Sequence, residues 1–267
     1  KAGFAFDGEF SFEGGAAEFN FQEDDEIVQS SSSSDRGNLL VALDEDGLTY
    51  AGTSEGTQLS IAGGEFPFPV EIGMEKTSFN IEMPVMASDE EQAFAFGVTL
   101  GDFTMSDMIW GIFDPVGKLP RDPATIAVDM TGSVKLLFDL MDPAQMERID
   151  SGEVMPGELN ALDINGLVVR AAGAELTGEG GFTFDNTDLS TFVCVPAPTG
   201  ELNLSLVGGN ALLDSLVAMG LLPEDQASGA RMMMGLFAVP GDAPDTLNSK
   251  IEVKGDGQVL ANGQRIQ

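Results

Sequence analysis

Gly3-Phe-Ala-Phe-Asp-Gly-Glu-Phe-Ser-Phe12 is the stretch on which the fold turns. Phe4, Phe6, Phe10 and Phe12 share one parity, and in an extended chain parity decides which face a side chain occupies. A turn at Asp7-Gly8 would pair Phe6 with Glu9 and throw the two Phe pairs onto opposite faces, whereas one continuous strand keeps all four together. The reading therefore places the turn at Gly14-Gly15, a tight hairpin that sets Phe10 opposite Phe19 and Phe12 opposite Ala17. Phe4, Phe6, Phe10, Phe12, Phe19 and Phe21 then form one apolar sheet face. They are the candidate residues for lining an apolar ligand, and a closed core would use them equally well.

Outward from that hairpin, Glu23-Asp-Asp-Glu26, the serine run 30–34 and Asp35-Arg-Gly37 read as a flexible acidic and serine-rich loop over residues 22–37. Alternation resumes at Leu39, Val41 and Leu43, turns at Asp44-Glu-Asp-Gly47 and continues at Leu48 and Tyr50. Further strands are expected over 66–72, 77–85, 93–103, 125–129 and 134–140, each with period-two apolar spacing closed by Gly, Pro, Asp or Ser. Ile109-Trp-Gly-Ile-Phe-Asp-Pro115 reads as a short helical turn ended by proline. Trp110 reads there as a packing anchor, with ligand stacking as the alternative.

Later strands are expected from Glu158 through a turn at Asn165-Gly166, then over 178–184 and 201–206. Leu212, Leu213, Leu216 and Val217 switch to helical spacing after Asn210, a good cap, and Gly220 ends the helix. A second helix is expected from Pro223-Glu-Asp225 to about Phe237. A hairpin about Gly255-Asp-Gly257 closes the chain.

Composition bounds the chemistry. The chain has 267 residues, 43% of them apolar, with 44 acidic and 12 basic side chains and a formal charge of −32. Such a field repels nucleic acid and anionic membrane surfaces and suits a solvated coat. Histidine is absent, which removes the commonest general base and metal ligand together. The single cysteine, Cys194, sits in the apolar run Thr191-Phe-Val-Cys-Val-Pro196 and reads as a buried thiol with no neighbour to activate it. The acidic turns 23–26 and 44–47 lack the spacing of a calcium loop and read as solvated turns. No Gly-x-Ser-x-Gly elbow or phosphate loop occurs, so no catalytic residue, metal or cofactor is implied. No apolar run is long enough for a transmembrane helix. With 18 Phe and 13 Met against one Tyr and one Trp, the aromatic girdles of an outer-membrane barrel are missing.

Several segments carry a resemblance: Ile109-Trp-Gly-Ile-Phe-Asp-Pro115, Leu119-Pro-Arg-Asp-Pro-Ala-Thr125, Phe182-Thr-Phe-Asp-Asn-Thr-Asp188, Leu212-Leu-Asp-Ser-Leu-Val-Ala-Met-Gly-Leu-Leu222 and Asn248-Ser-Lys-Ile-Glu-Val-Lys-Gly-Asp-Gly-Gln-Val-Leu-Ala-Asn-Gly-Gln264. They resemble a family of bacterial envelope proteins known only as a domain of unknown function. The closing helical pair and hairpin are also distantly similar to AsmA-like envelope proteins, whose long curved sheets are associated with lipid traffic. The resemblance implies a periplasmic location and a precursor with a longer N-terminus.

The expected fold is thus mainly β: an extended, curved antiparallel sheet, groove-like or a flattened sandwich, with a small helical pair near the C-terminus. Residues 1–267 are expected to form one β-rich domain, the C-terminal part of a longer precursor. The expected function is non-enzymatic binding of lipid or another apolar ligand along the sheet. The rival is a structural protein that assembles with an envelope partner through exposed sheet edges.

Overall fold

Alternation marks a strand, but it does not say where the strand stops, and several strands here run through residues that read as turns. The computed structural model describes residues 5–23, 26–63, 66–152, 154–193 and 195–267. Phe4 and Cys194 therefore lie outside the described residues, as does the middle of the acidic turn 23–26.

The chain begins with four long strands, β1 (Phe6–Glu23), β2 (Glu26–Leu43), β3 (Leu48–Gly63) and β4 (Phe66–Met83). Three of them have 18 residues, about 60 Å of extended chain at ~3.3 Å per residue. Shorter strands follow: β5 (Gln92–Met105), β6 (Ala124–Leu136), β7 (Gly157–Ala171), β8 (Ala174–Asp185) and β9 (Ala197–Val207). Helix α1 (Asp107–Phe113) separates β5 from β6, and α2 (Pro143–Asp150) separates β6 from β7. Helices α3 (Gly209–Ala218) and α4 (Glu224–Phe237) precede the closing strands β10 (Val239–Pro240), β11 (Thr246–Val253), β12 (Val259–Ala261) and β13 (Gln264–Arg265).

All the strands form one 13-stranded sheet. It runs in chain order from β1 to β9, then β11, β12 and β13, with β10 paired beside β11. Every pairing is antiparallel, and β1 and β13 are its free ends. The mainly β expectation holds, with the helical pair in place, and the sheet is open.

Two expectations at the N-terminus are corrected. β1 does not turn at Gly14-Gly15; it pairs with β2 from Phe6↔Leu43 to Glu23↔Glu26, so Phe10 faces Leu39 and Phe12 faces Gly37. The serine run is not a loop either. It is the middle of β2, held between β1 and β3, with Ser32 opposite both Ala17 and Leu59. Pairing on both edges satisfies its backbone groups, and this outweighs a composition that favours disorder in isolation.

Gly14 and Gly15 belong to a crease that crosses five strands. The ladders skip Gly14, Asp35, Gly56, Glu75 and Asp102 in turn. Gly14, Gly56 and Asp102 hold φ of 78°, 61° and 49°. An irregular residue of this kind shifts the alternation by one. At β1 a Cβ on Gly15 would lie 3.3 Å from the Phe12 ring, so positions 12 and 15 share a face. At β5 the pairing moves from Leu100↔Ile126 to Phe103↔Ala124 against a regularly alternating β6, so positions 100 and 103 do too. The phase shift puts Phe19 and Phe21 back on the face of Phe6, Phe10 and Phe12. The sequence reading grouped these residues correctly, through the wrong device.

Charge flanks the crease. Glu13, Arg36, Glu55, Lys76 and Gly101 oppose one another in order across β1 to β5, and the Arg36 guanidinium binds the Glu55 carboxylate, with Nε at 2.7 Å. At the far end Arg170 Nη2 donates to Asp102 at 2.6 Å and to the Thr125 hydroxyl at 3.0 Å.

Two other breaks dissolve in the same way. Asn165-Gly166 sits inside β7 at a bulge, and the gap between 129 and 134 lies inside β6. Helix α2 escaped the sequence reading, although its signal was present: Asp142 caps it through a 2.9 Å bond from Ala144 N, with Pro143 in the first turn. Asn210 is not the cap of α3. The helix starts after Gly208, and Asp245 supplies the cap from across the chain, accepting from Asn210 N at 3.1 Å and Ala211 N at 2.9 Å.

Gly14→Ala is expected to cost about 1–2 kcal/mol in denaturant unfolding, because the left-handed conformation penalises a Cβ even though open space surrounds it. Gly111→Ala, equally open but within α1, is expected to stabilise by about 0.5–1 kcal/mol. Equal effects would mean that the crease does not hold Gly14 in that conformation.

Candidate functional site: an open apolar sheet face

Residues directly opposite each other in a ladder stand on the same face, so the registers define rows across the sheet. One row reads Gly8, Val41, Tyr50, Ile81, Phe96, Met130, Ile164, Gly180, Leu202, Ile251 and Ala261. The next reads Phe10, Leu39, Gly52, Phe79, Val98, Val128, Leu167, Gly178, Leu204 and Ser249. Neither holds a charge. At ~4.8 Å per strand the first is about 48 Å long. The row between them, on the reverse face, begins with Glu9, Leu40, Ala51, Asn80, Gly97 and Asp129. Beside it run Asp7, Ala42, Thr49, Glu82, Ala95, Thr131, Asp163, Gly181, Glu201 and Glu252. The sheet is apolar on one side and acidic on the other.

The apolar side is not a closed core. Among the described residues the buried apolar side chains are only Pro84, Val85, Leu136, Ala174, Ala197, Ala227 and Ala261, and no large side chain is fully buried. The accessible surface is 16166 Å², where a compact monomer of this mass would show about 11,000 Å². Glycines on this face are roofed by neighbouring rings: a Cβ on Gly52 would lie 2.7 Å from the Phe79 ring, and one on Gly132 2.6 Å from that of Phe94. Tyr50 and Phe79 pack with centroids 4.8 Å apart.

The sequence-predicted lining residues fall on this open face at the β1 end. Phe6, Phe10, Phe12, Phe19 and Phe21 are 40–61% exposed. The structure brings them together as a stripe along the outermost strand. What single-residue alternation missed is the rest of the face, eleven strands wide, which only the registers reveal.

The helices cover parts of the same side. Ser249, in the second row, donates its hydroxyl to the Phe237 carbonyl at the end of α4, and Asn262 Nδ2 donates there at 2.9 Å. Phe103, Met105 and Ala124 carry the apolar face to the ends of β5 and β6, where Trp110 of α1 stands over them around a cavity of about 220 Å³.

Carboxylates away from this face serve turns and caps. Asp44 Oδ1 accepts Asp46 N at 2.8 Å and Gly47 N at 3.1 Å inside its own hairpin. Asp188, in one of the family-like segments, accepts the backbone N–H and hydroxyl groups of Ser190 and Thr191, which hold it far below the usual carboxylate range. Burial pushes Asp245 up, but the N–H groups of Ala211 and Asn210 outweigh it and its pKa is lowered. Among the described residues no group of three or more Cys, Asp or Glu could hold a metal ion. No helix among them is long and apolar enough to cross a membrane.

Asp245→Ala is expected to cost about 1 kcal/mol, the usual worth of an N-cap. A lowered native pKa stabilises above the unfolded value, near 3.9, and that contribution disappears as pH falls through the native value. The wild-type advantage in thermal midpoint is therefore constant from neutral pH down to about pH 5 and shrinks below about pH 4. An advantage that persists unchanged in acid would rule out an ionised cap.

A family model described as "Uncharacterized protein conserved in bacteria (DUF2125)" matches residues 4–265. No curated protein matches the chain.

Proposed function

The chain belongs to this uncharacterised bacterial family, and we propose that it holds an apolar chain, such as the acyl chain of a lipid, along the open face of its sheet, in the periplasm and without catalysing a reaction. One observation carries the reading: two adjacent charge-free rows span ten and eleven strands on a side where, among the described residues, no large side chain is fully buried. Contiguous apolar surface of that extent marks a ligand or partner site. The distant similarity of the closing segments to AsmA-like proteins supports the same reading, and a sequence without histidine favours binding over acid–base chemistry.

The edge-assembly reading rests on β1, an 18-residue strand with only one neighbour. Its chemistry works against self-pairing. Asp7, Glu9, Glu13 and Glu18 lie along it, and Gly14 interrupts it with a left-handed residue. Charges and irregularities of this kind blunt an edge, and two copies would bring acids together.

Protein purified without detergent is expected to carry bound lipid in native mass spectrometry and to bind an uncharged fluorescent acylglycerol. Burying a Phe is worth about 1.5–3 kcal/mol, so Phe10→Asp or Phe19→Asp should weaken probe binding about tenfold or more, while Glu9→Gln on the reverse face should not. Absence of lipid together with absence of probe binding would sink the proposal. Growth in size with protein concentration under those conditions would favour assembly through the edge.

A further inference from the structure

The cavity at Trp110 lies on the apolar face and is built differently from the rest of it. Phe103, Met105 and Ala124 supply its floor, and all three stand on the face of the charge-free rows, because the crease at Asp102 returns β5 to that phase. Trp110 and Phe113 of α1 and Leu119 of the following loop form the wall opposite. From β1 to β4 the face is open to solvent, but here it runs under a helix and a loop.

That cover is held in place before any ligand arrives. Asp114, only 4% exposed, accepts Lys118 N and Leu119 N at 2.8 Å each, and its own N–H donates to the Trp110 carbonyl at 2.8 Å. Pro120 packs against the β7–β8 turn so closely that a Cβ on Gly173 would lie 2.8 Å from its ring. A pre-formed apolar pocket binds without the cost of ordering its walls.

The rim offers little to a polar headgroup. Arg121 is engaged by the Asp107 carboxylate and by the Met105 carbonyl at 3.0 Å, and Asp122 would repel an anion. A volume of about 220 Å³ corresponds to roughly seven waters at ~30 Å³ each, room for a few carbons and not for a whole lipid. We propose that this cavity seats the methyl end of an apolar chain whose body lies along the sheet face. The proposal rests on the function proposed above and adds a direction to it: the polar end points away from α1, toward the open part of the face.

Trp110 is the only tryptophan, so its emission reports on this cavity alone. The probes are two uncharged long-chain monoacylglycerols, one brominated near its methyl end and the other near its ester, chosen because a charge of −32 disfavours anionic ligands. Binding of each is measured separately by native mass spectrometry. The methyl-end probe is expected to quench Trp110 strongly at saturation and the ester-end probe only weakly. Ala124→Leu, which fills the floor, is expected to remove the quenching and to weaken binding of the full-length chain by about tenfold or more, the usual worth of such a steric change in an apolar pocket. If both probes bind but quench equally, not at all, or in the reverse order, the cavity assignment is overturned while the sheet-face reading stands. If neither binds, both fall. Should Ala124→Leu fail to fold by circular dichroism, the brominated pair on the wild-type protein still decides.

Discussion

Much in this molecule follows from a sheet whose apolar face, among the described residues, is covered only in part, by α1 and the end of α4. An antiparallel sheet normally packs that face against another sheet or a helix layer and leaves the other to water. Here the ladder itself, with two neighbours for every interior strand, supplies the continuous hydrogen bonding. The apolar side chains pack sideways against one another along the rows. Rings lie over glycines, as Phe12 does over Gly37 and Phe79 over Gly52, and each side chain remains partly open to water. Such packing recovers only part of the burial free energy of a closed core, and the uncovered remainder is what a ligand would gain.

The long strands make the crease necessary. Strands of 16 to 18 residues twist, and a wide sheet of them must bend somewhere. A line of irregular residues across β1 to β5 concentrates the bend and restores the phase beyond it, so apolar side chains remain on one side along the whole strand. Arg36, Lys76 and Arg170 lie on or beside this line, which is a notable use of cations in a chain with only 12. Exposed ion pairs contribute little stability individually. Their placement next to acids at the ladder gaps fixes which residues oppose one another where hydrogen bonding does not.

Strand character, the helical pair and the grouping of the phenylalanines were legible in the sequence because they depend on local alternation. Strand length was not. Gly14-Gly15, the serine run and Asn165-Gly166 carry turn or loop signals by every local rule, and only neighbouring strands, remote in sequence, turn them into a crease, a strand centre and a bulge. The apolar face was legible at β1, where five phenylalanines crowd one strand, and invisible elsewhere. A row such as Ile81, Phe96, Met130 and Ile164 is defined by register. The cavity at Trp110 needed more still, since α1 and its loop meet the sheet through Asp114 and Pro120, contacts that no periodicity announces.

Acidity takes on a structural meaning once the two faces are separated. A sheet with an uncovered apolar side is a hazard in water: two copies can stack face to face, or add strands edge to edge. The reverse face carries Asp7, Glu82, Asp163, Glu201 and Glu252 along a single row, and Asp7, Glu9, Glu13 and Glu18 lie along the β1 edge. Stacking two copies sets two sheets, each of charge −32, about 10 Å apart with their acid rows on the outer faces, so the copies repel at low salt and screening weakens that repulsion as salt rises. An uncharged chain laid on the same face meets no such repulsion. The charge that first reads as a passive coat therefore discriminates between occupants, opposing a second copy of this protein or an anionic surface and leaving the face to a neutral apolar ligand.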